Sequence, residues 1–305
     1  MIWRNRCTLH HGDFAETLAI CAGQADLVLT SPPYADARTY GMGCSWTMDD
    51  YHRLGVAVFS ALKPGGHALI NVDAPVREWR PGFGTERGFH PWRMMLDWAE
   101  EIGFRVPDRL VFGRQSMPGL ATGRFKSGWE PLLWFQKQGG DPFFDSHSIA
   151  KRSHSLSWTT KEATSYRKAG REAAQTKHGH PIRGRCAADG IALPSTLWDY
   201  GNYGEFTRGA KDIERQNHPA RWPYKLAEDI VRCFCPPDGL ACDPFVGAGT
   251  SAVAALEHGR RFIGGDLGSR QDNDDNRARR LDPVPWVEVT ARVLTERFKQ
   301  ERLFG

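Results

Sequence analysis

Asp26-Leu27-Val28-Leu29-Thr30-Ser31-Pro32-Pro33-Tyr34 is an apolar run that ends in two hydroxyl residues, two prolines and a tyrosine. Such a run reads as a buried parallel strand whose chain then leaves the sheet abruptly. The prolines fix their own φ angles, lack N–H donors and bias the residue before each toward extended geometry, so the turn presents its carbonyl oxygens unopposed. A rigid row of acceptors beside an aromatic ring suits a flat molecule that carries an amino group. Taken alone, a Pro-Pro pair fits an ordinary strand-terminating loop equally well. The surrounding chain has to decide.

On the N-terminal side, residues 2–11 partly alternate and end at Gly12-Asp13, ahead of the amphipathic Phe14-Ala15-Glu16-Thr17-Leu18-Ala19-Ile20. This is strand, tight turn and helix. Asp13 has two readings, a contact to a ligand amino or hydroxyl group at a strand's carboxyl end, or the cap of the helix that follows. On the C-terminal side lies a glycine-bearing loop with Arg38 and Tyr40, suited to a lid or a nucleic-acid contact. Then come a helix over 48–62, the stop Lys63-Pro64-Gly65-Gly66 and a buried strand over 67–72. After a Gly- and Pro-rich passage with Arg77, Trp79, Arg80 and Arg87, a helix over 91–102 leads to strands over 104–113 and 130–137. These two read as an antiparallel pair at the edge of a doubly wound α/β sheet.

The chain has 305 residues, 40% hydrophobic and 25% charged, with a net charge of +4. That is enough for one large α/β domain with an insert. No run approaches the length needed to cross a bilayer, and the N-terminus shows no apolar segment after its charges, so a soluble, cytoplasmic protein is expected. The seven cysteines are scattered without a C-x-x-C pair and read as reduced thiols. His178, His180 and Cys186 lack the paired spacing of structural zinc sites, so no metal is expected.

From about residue 139 to 217 the α/β rhythm fails. Between Ser146 and Trp198, nine basic residues (Lys151, Arg152, Lys161, Arg167, Lys168, Arg171, Lys177, Arg183, Arg185) stand against three acidic ones. A net +6 over 53 residues, interleaved with Trp158, Tyr166 and four histidines, suits a polyanion bound through neutralised phosphates. A solvated insert has a similar composition.

The rhythm resumes at His218-Pro219-Ala220 and a helix over 224–235. Leu240-Ala241-Cys242-Asp243-Pro244-Phe245-Val246-Gly247-Ala248-Gly249-Thr250 then reads as strand, glycine turn and helix start. The next strand ends at Asp266, 23 residues after Asp243. A glycine turn after one strand and an acid ending the next form a nucleoside-binding arrangement, in which backbone passes close to the ligand and the carboxylate receives ribose hydroxyls. A carboxylate placed before the glycines would repel a pyrophosphate. It suits a ligand with an amino group and net positive charge, as S-adenosylmethionine has. A helix over 273–281 and an outer helix within 283–305 complete the chain.

Ser31-Pro32-Pro33-Tyr34 after one strand and Asp243-Pro244-Phe245-x-Gly247-x-Gly249-Thr250 after a later one together resemble the DNA amino-methyltransferases of the β arrangement, in which the catalytic motif comes first and the cofactor motif last. The resemblance spans about residues 8–137 and 217–281. It implies a circularly permuted, Rossmann-like methyltransferase sheet, mostly parallel with one antiparallel edge strand. It divides the chain into a catalytic half (1–140), a target-recognition insert (141–216), the cofactor half of the same domain (217–282) and a helical extension (283–305).

It further implies that Ser31 and the Pro32 carbonyl hold the target amine, with Pro33 stiffening the turn and Tyr34 stacking on a flipped base. Asp13, Thr30, His218, Pro219, Ala220, Asp243, Pro244, Phe245, Gly247, Gly249, Thr250 and Asp266 would surround S-adenosyl-L-methionine. The family's usual Glu at the ribose position is Asp266 here. Arg38, Tyr40 and the basic residues of the insert would contact DNA. Ser in the catalytic motif accompanies N4-cytosine in this family, whereas Asp or Asn accompanies N6-adenine, so N4-cytosine is the expected target and N6-adenine the alternative. A DNA-binding module without transferase activity, or an RNA or protein amide methyltransferase, would use the same geometry. A homodimer, a partner restriction endonuclease and a nucleoid location in a prokaryote or phage-infected cell are compatible with such an enzyme.

Overall fold

The computed structural model describes residues 2–3, 6–34, 46–74, 76–80, 84–113, 125, 127–152, 191–192, 194–199, 223–268 and 284–298. In chain order these form β1 (Ile2–Trp3), β2 (Cys7–His11), α1 (Phe14–Ile20), β3 (Ala25–Thr30), α2 (Met48–Ala61), β4 (Leu62–Asn71), β5 (Val76–Arg80), β6 (Gly84–Arg87) and α3 (His90–Asp97). They continue with β7 (Arg109–Gly113), β8 (Trp129–Gln136), β9 (Lys151–Arg152), β10 (Ile191–Ala192), β11 (Leu197–Asp199), α4 (Tyr224–Phe234), β12 (Leu240–Asp243), α5 (Thr250–Glu257), β13 (Arg261–Asp266) and α6 (Trp286–Phe298). The expected helix over 273–281 lies outside the described residues. No helix among the described residues is long and apolar enough to cross a membrane.

Nine strands form one sheet in the order β1-β2-β13-β12-β3-β4-β8-β7-β11. β2, β13, β12, β3 and β4 are parallel, and the first motif strand, β2, lies beyond β13, as circular permutation requires. The doubly wound, mostly parallel expectation holds. The antiparallel strand does not lie at the edge: β8 runs against both β4 and β7, and β11 extends the sheet past them, parallel to β7. β11 comes from a stretch whose composition suggested no regular element. Three residues are too few for a hydropathy period to register.

β3 and β12 are spatial neighbours whose crossovers leave in opposite directions, through α2 to β4 and through α5 to β13. That is the switch point of a doubly wound sheet, where a crevice opens at the carboxyl ends of the strands. Both faces of the sheet are covered. Val28, Ala68 and Ile70 share one core with Leu18 of α1, Tyr51, Leu54 and Val58 of α2, and Met94 of α3. Alternate residues point the other way, and His67 meets Phe234 of α4 at 5.4 Å between ring centroids.

Around that ring the chain makes an aromatic cluster. Trp134 and Phe144 lie 5.0 and 5.4 Å from Phe234, and Trp198 stacks at 6.4 Å. His67 Nε2 donates to the Phe143 carbonyl at 2.9 Å while Nδ1 accepts from Trp134 Nε1 at 3.2 Å. Burial lowers the His67 pKa to about 4, so the ring is neutral. Residues 145–195 form a separate compact unit, within which β9 and β10 pair antiparallel.

C-terminal residues expected on the outside are instead part of the sheet's covering. Val289, Thr290, Val293 and Leu294 of α6 are buried, and the helix contacts β2, β13 and α5. Its apolar positions recur at helical spacing, so it needs a surface to bury them.

The helix expected over 91–102 ends in one π-helical turn, Trp98–Ile102, stopped by Gly103 in the left-handed conformation. Trp98 is fully buried, and its Nε1 donates to the Tyr51 carbonyl at 2.9 Å. A Cβ at Gly55 would stand 2.4 Å from that nitrogen. Gly55→Ala gains about 1 kcal/mol of helix propensity, whereas overpacking against a ring that cannot move costs about 1–3 kcal/mol. Urea denaturation should therefore show Gly55→Ala less stable than the parent; an increase in stability would contradict this packing.

Candidate active site at the carboxyl ends of two neighbouring strands

β3 delivers Thr30 and then Ser31-Pro32-Pro33-Tyr34 to the crevice, and its neighbour β12 delivers Asp243. Thr30 Oγ1 donates to Asp243 Oδ1 at 2.5 Å. The same carboxylate accepts from Ser251 Oγ at 2.5 Å and from the Phe245 N–H at 3.0 Å. Both motifs are thus joined through one carboxylate. Burial pushes the Asp243 carboxyl up to about 6 even though these three hydrogen bonds favour the charged form. Two carboxylate oxygens offer about four lone-pair sites, which leaves acceptor capacity on Oδ2 for an incoming cation.

The glycine turn is held from two directions. Asp266 accepts from the Gly247 N–H at 2.9 Å and the Gly268 N–H at 2.8 Å, and burial raises its pKa to about 6. Thr290 of α6 donates to the Gly247 carbonyl at 2.8 Å. Gly247 and Gly249 have φ of +51° and +92°, and a Cβ at Gly249 would lie 2.9 Å from Thr290 Cγ2. Only glycine fits there without strain. Pro244 is buried, Phe245 packs at 5.4 Å against Trp46 and at 5.9 Å against Phe14, and Thr250 opens α5.

Asp13 is engaged as the helix cap. It accepts from the Ala15 and Glu16 N–H groups at 2.7 and 3.0 Å, and Glu16 reaches back to the Asp13 N–H. This reciprocal capping box is one of the two readings its position allowed.

The amine end of the site is built over a buried polar layer. Tyr51 of α2 donates its hydroxyl to the Pro33 carbonyl at 2.9 Å. Among the described residues nothing donates to the Pro32 carbonyl. Ser31 Oγ donates to the Tyr34 oxygen at 3.4 Å, and the Tyr34 hydroxyl faces Asn71 Oδ1 at 3.1 Å and Glu130 Oε2 at 3.3 Å.

Tyr34, expected to present a stacking face, is only 8% exposed. Its hydroxyl finds partners inside the protein, so the ring is drawn into the core, and contact with an extruded base requires neighbouring groups to move aside. Asn71, Glu130, Tyr51, Ser251 and Thr290 were not singled out from the sequence. Asn71 and Glu130 do carry a signal, as lone polar residues at the ends of apolar strands that meet on the crevice side.

Arg38, Tyr40, Arg167, Lys168, Arg171, Arg183, Arg185, His218, Pro219 and Ala220, with the considered zinc ligands His178, His180 and Cys186, lie outside the described residues. Lys151 and Arg152 form β9. Among the described residues no group of three or more His, Cys, Asp or Glu side chains could hold a metal ion.

A family model described as a DNA methylase matches residues 25–271. The DNA adenine methyltransferase YhdJ of Escherichia coli (strain K12) is 24% identical over 269 residues, which cover 86% of this chain and 79% of that protein. In structure, the chain is similar to the PvuII DNA methyltransferase (cytosine-N4-specific), with a TM-score of 0.61 at 19% identity over 95% of this chain and 93% of that one. It is also similar to a DNA modification methylase of Thermus thermophilus, TTHA0409, solved in complex with S-adenosyl-L-methionine, with a TM-score of 0.53 at 22% identity over 91% and 95% of the two chains.

The Thr30–Asp243 bond yields a direct test. Thr30→Val keeps the shape and removes the donor. A hydrogen bond to a buried charge is worth about 1.5–3 kcal/mol, so chemical denaturation at neutral pH should show a loss of roughly that size; an unchanged midpoint would mean that the bond contributes nothing.

Proposed function

The chain belongs to the DNA methylase family, whose model spans residues 25–271, and from that membership we propose that it transfers the methyl group of S-adenosyl-L-methionine to the exocyclic N4 of a cytosine flipped out of duplex DNA. The observation that carries this reading is the hydrogen bond from Thr30 to Asp243, which holds the amine acceptors and the cofactor turn at one end of the sheet.

An exocyclic amine is a poor nucleophile because its lone pair is delocalised into the ring. Acceptors at Ser31 Oγ and the Pro32 carbonyl favour a tetrahedral nitrogen, whose lone pair is then free for in-line attack on the sulfonium methyl. Asp243 receives the cofactor's ammonium, Asp266 its ribose hydroxyls, and the aromatic group around Phe245 borders the cofactor turn. The Pro33 carbonyl, already bonded by Tyr51, serves to stiffen the turn rather than to hold substrate. No cysteine nucleophile is needed. Residues 141–216 and the loop with Arg38 and Tyr40 supply the DNA contacts, through phosphate neutralisation first and base reading second.

Support for cytosine comes from Ser at the first motif position and from the likeness to the cytosine-N4-specific PvuII enzyme. N6-adenine is the second reading, favoured by the relation to YhdJ. Methylation of genomic DNA from a methylation-free host, followed by sequencing with modification detection, separates them. N4-methylcytosine at one recurring site is expected, N6-methyladenine would establish the second reading, and DNA binding without methyl transfer would refute both.

Two variants divide the roles. Ser31→Ala should reduce methyl transfer about 10- to 100-fold with cofactor affinity unchanged, while Asp243→Ala should weaken cofactor binding itself. Equal loss of cofactor affinity in both would contradict the assignment. The pH dependence follows from Asp243. Its raised pKa, about 6, means that the unliganded protein holds a proton there below pH 6, and a cationic cofactor must displace that proton. Affinity should be level above pH 6 and fall as the pH drops, about ten-fold by pH 5. Calorimetric titration at pH 5 and pH 7 checks this.

A further inference from the structure

Beneath Ser31 lies a chain of polar groups whose direction is fixed from its buried end. Asn71 Nδ2 lies 2.9 Å from the Pro131 carbonyl and 3.3 Å from Glu130 Oε2, and both partners can only accept. This sets the Asn71 amide with its nitrogen toward Glu130 and its oxygen toward Tyr34. The Tyr34 hydroxyl therefore faces two acceptors, Asn71 Oδ1 and Glu130 Oε2, and must donate to them. Its oxygen is then left to receive the Ser31 hydroxyl hydrogen, at 3.4 Å. Glu130 is 3% exposed and Asn71 2%, so water does not compete for these groups. With its hydrogen turned inward, Ser31 offers only lone pairs to the crevice.

We propose that Glu130, acting through Asn71 and Tyr34, is a positioning residue that makes Ser31 an obligate acceptor, so that the site admits a base carrying an amino group and rejects its keto analogue. With the Pro32 carbonyl, the pocket then presents two acceptors. An exocyclic NH₂ supplies a hydrogen to each, whereas a ring carbonyl sets lone pair against lone pair. A site built to bond a donor group rejects the analogue lacking it far more strongly than a site relying on shape. The inference rests on the amino-methyltransferase reading and deepens it, and it holds for either target base.

The test uses the full-length protein and duplexes carrying its own methylation site, with the target base present or replaced by its keto analogue, uracil for cytosine or hypoxanthine for adenine. Wild-type protein should bind the amino form at least ten-fold more tightly than the keto form with cofactor present. Glu130→Gln is isosteric but places a donor where only acceptors stood, which allows the chain to reverse. It should lower kcat about ten-fold, leave KM for the cofactor within two-fold and narrow the amino-over-keto preference at least three-fold. Tyr34→Phe cuts the chain and should give a similar narrowing, and adding Glu130→Gln to it should change the preference no further.

Retention of both kcat and base preference by Glu130→Gln would overturn the proposal. So would a full additive loss in the double variant, because Glu130 would then act by another route. Loss of cofactor binding by Glu130→Gln would mark a structural role only, and that too would overturn it. Wild-type protein that methylates no DNA would instead refute the underlying reading, and this outcome is distinguishable from the others.

Discussion

The structure depends on one buried carboxylate that three parts of the chain share. Asp243 binds Thr30 from the neighbouring strand, Ser251 from the helix after the glycine turn and the backbone N–H of Phe245. Removing an ionisable group from water is costly unless its oxygens are bonded. These three bonds offset that cost while welding the end of β3 to the start of the cofactor turn. The two motifs lie 209 residues apart in sequence, counted from Tyr34 to Asp243. Their joint function needs a geometry tighter than loops would maintain, and adjacent parallel strands with a common hydrogen-bonded carboxylate maintain it.

The two acids of the cofactor site each serve twice. In the unliganded protein neither Asp243 nor Asp266 is idle, because each ties down backbone of the turn it will present to a ligand. The site is preorganised by the residues that bind, and binding needs little further ordering. Thr290 adds a third tether from a helix near the C-terminus. The covering of the sheet and the shaping of the turn are therefore one structural task, and α6 belongs to the site as much as to the fold.

Much of this was legible in the sequence, for physical reasons that can be named. β3 and β12 are short apolar runs that end in polar residues and turn formers, so their type, their ends and their neighbourhood follow from burial and turn chemistry. The order of β2 beside β13 followed from the motif order. What stayed hidden depends on contacts between distant segments. Nothing local to Glu130 or Asn71 says that they meet under Ser31, and nothing local to Tyr34 says that its ring turns inward. β11 is too short to show a period, and α6 shows an apolar face without indicating which surface receives it. Asp13 satisfied one of two roles that its position left open, since capping and ligand contact call for the same side chain.

The aromatic cluster around Phe234 has a consequence for how such a protein can diversify. The chain leaves the sheet at Phe144 and returns at Trp198, and both rings rest against Phe234, at 5.4 and 6.4 Å. Departure and return thus occur at one fixed anchor within the sheet unit. Closing a loop between fixed neighbouring points costs free energy that grows only with the logarithm of its length. The intervening segment can be lengthened, shortened or exchanged with little effect on the stability of the sheet. The part of the molecule that selects its target can change quickly, while the chemistry beside it remains constant.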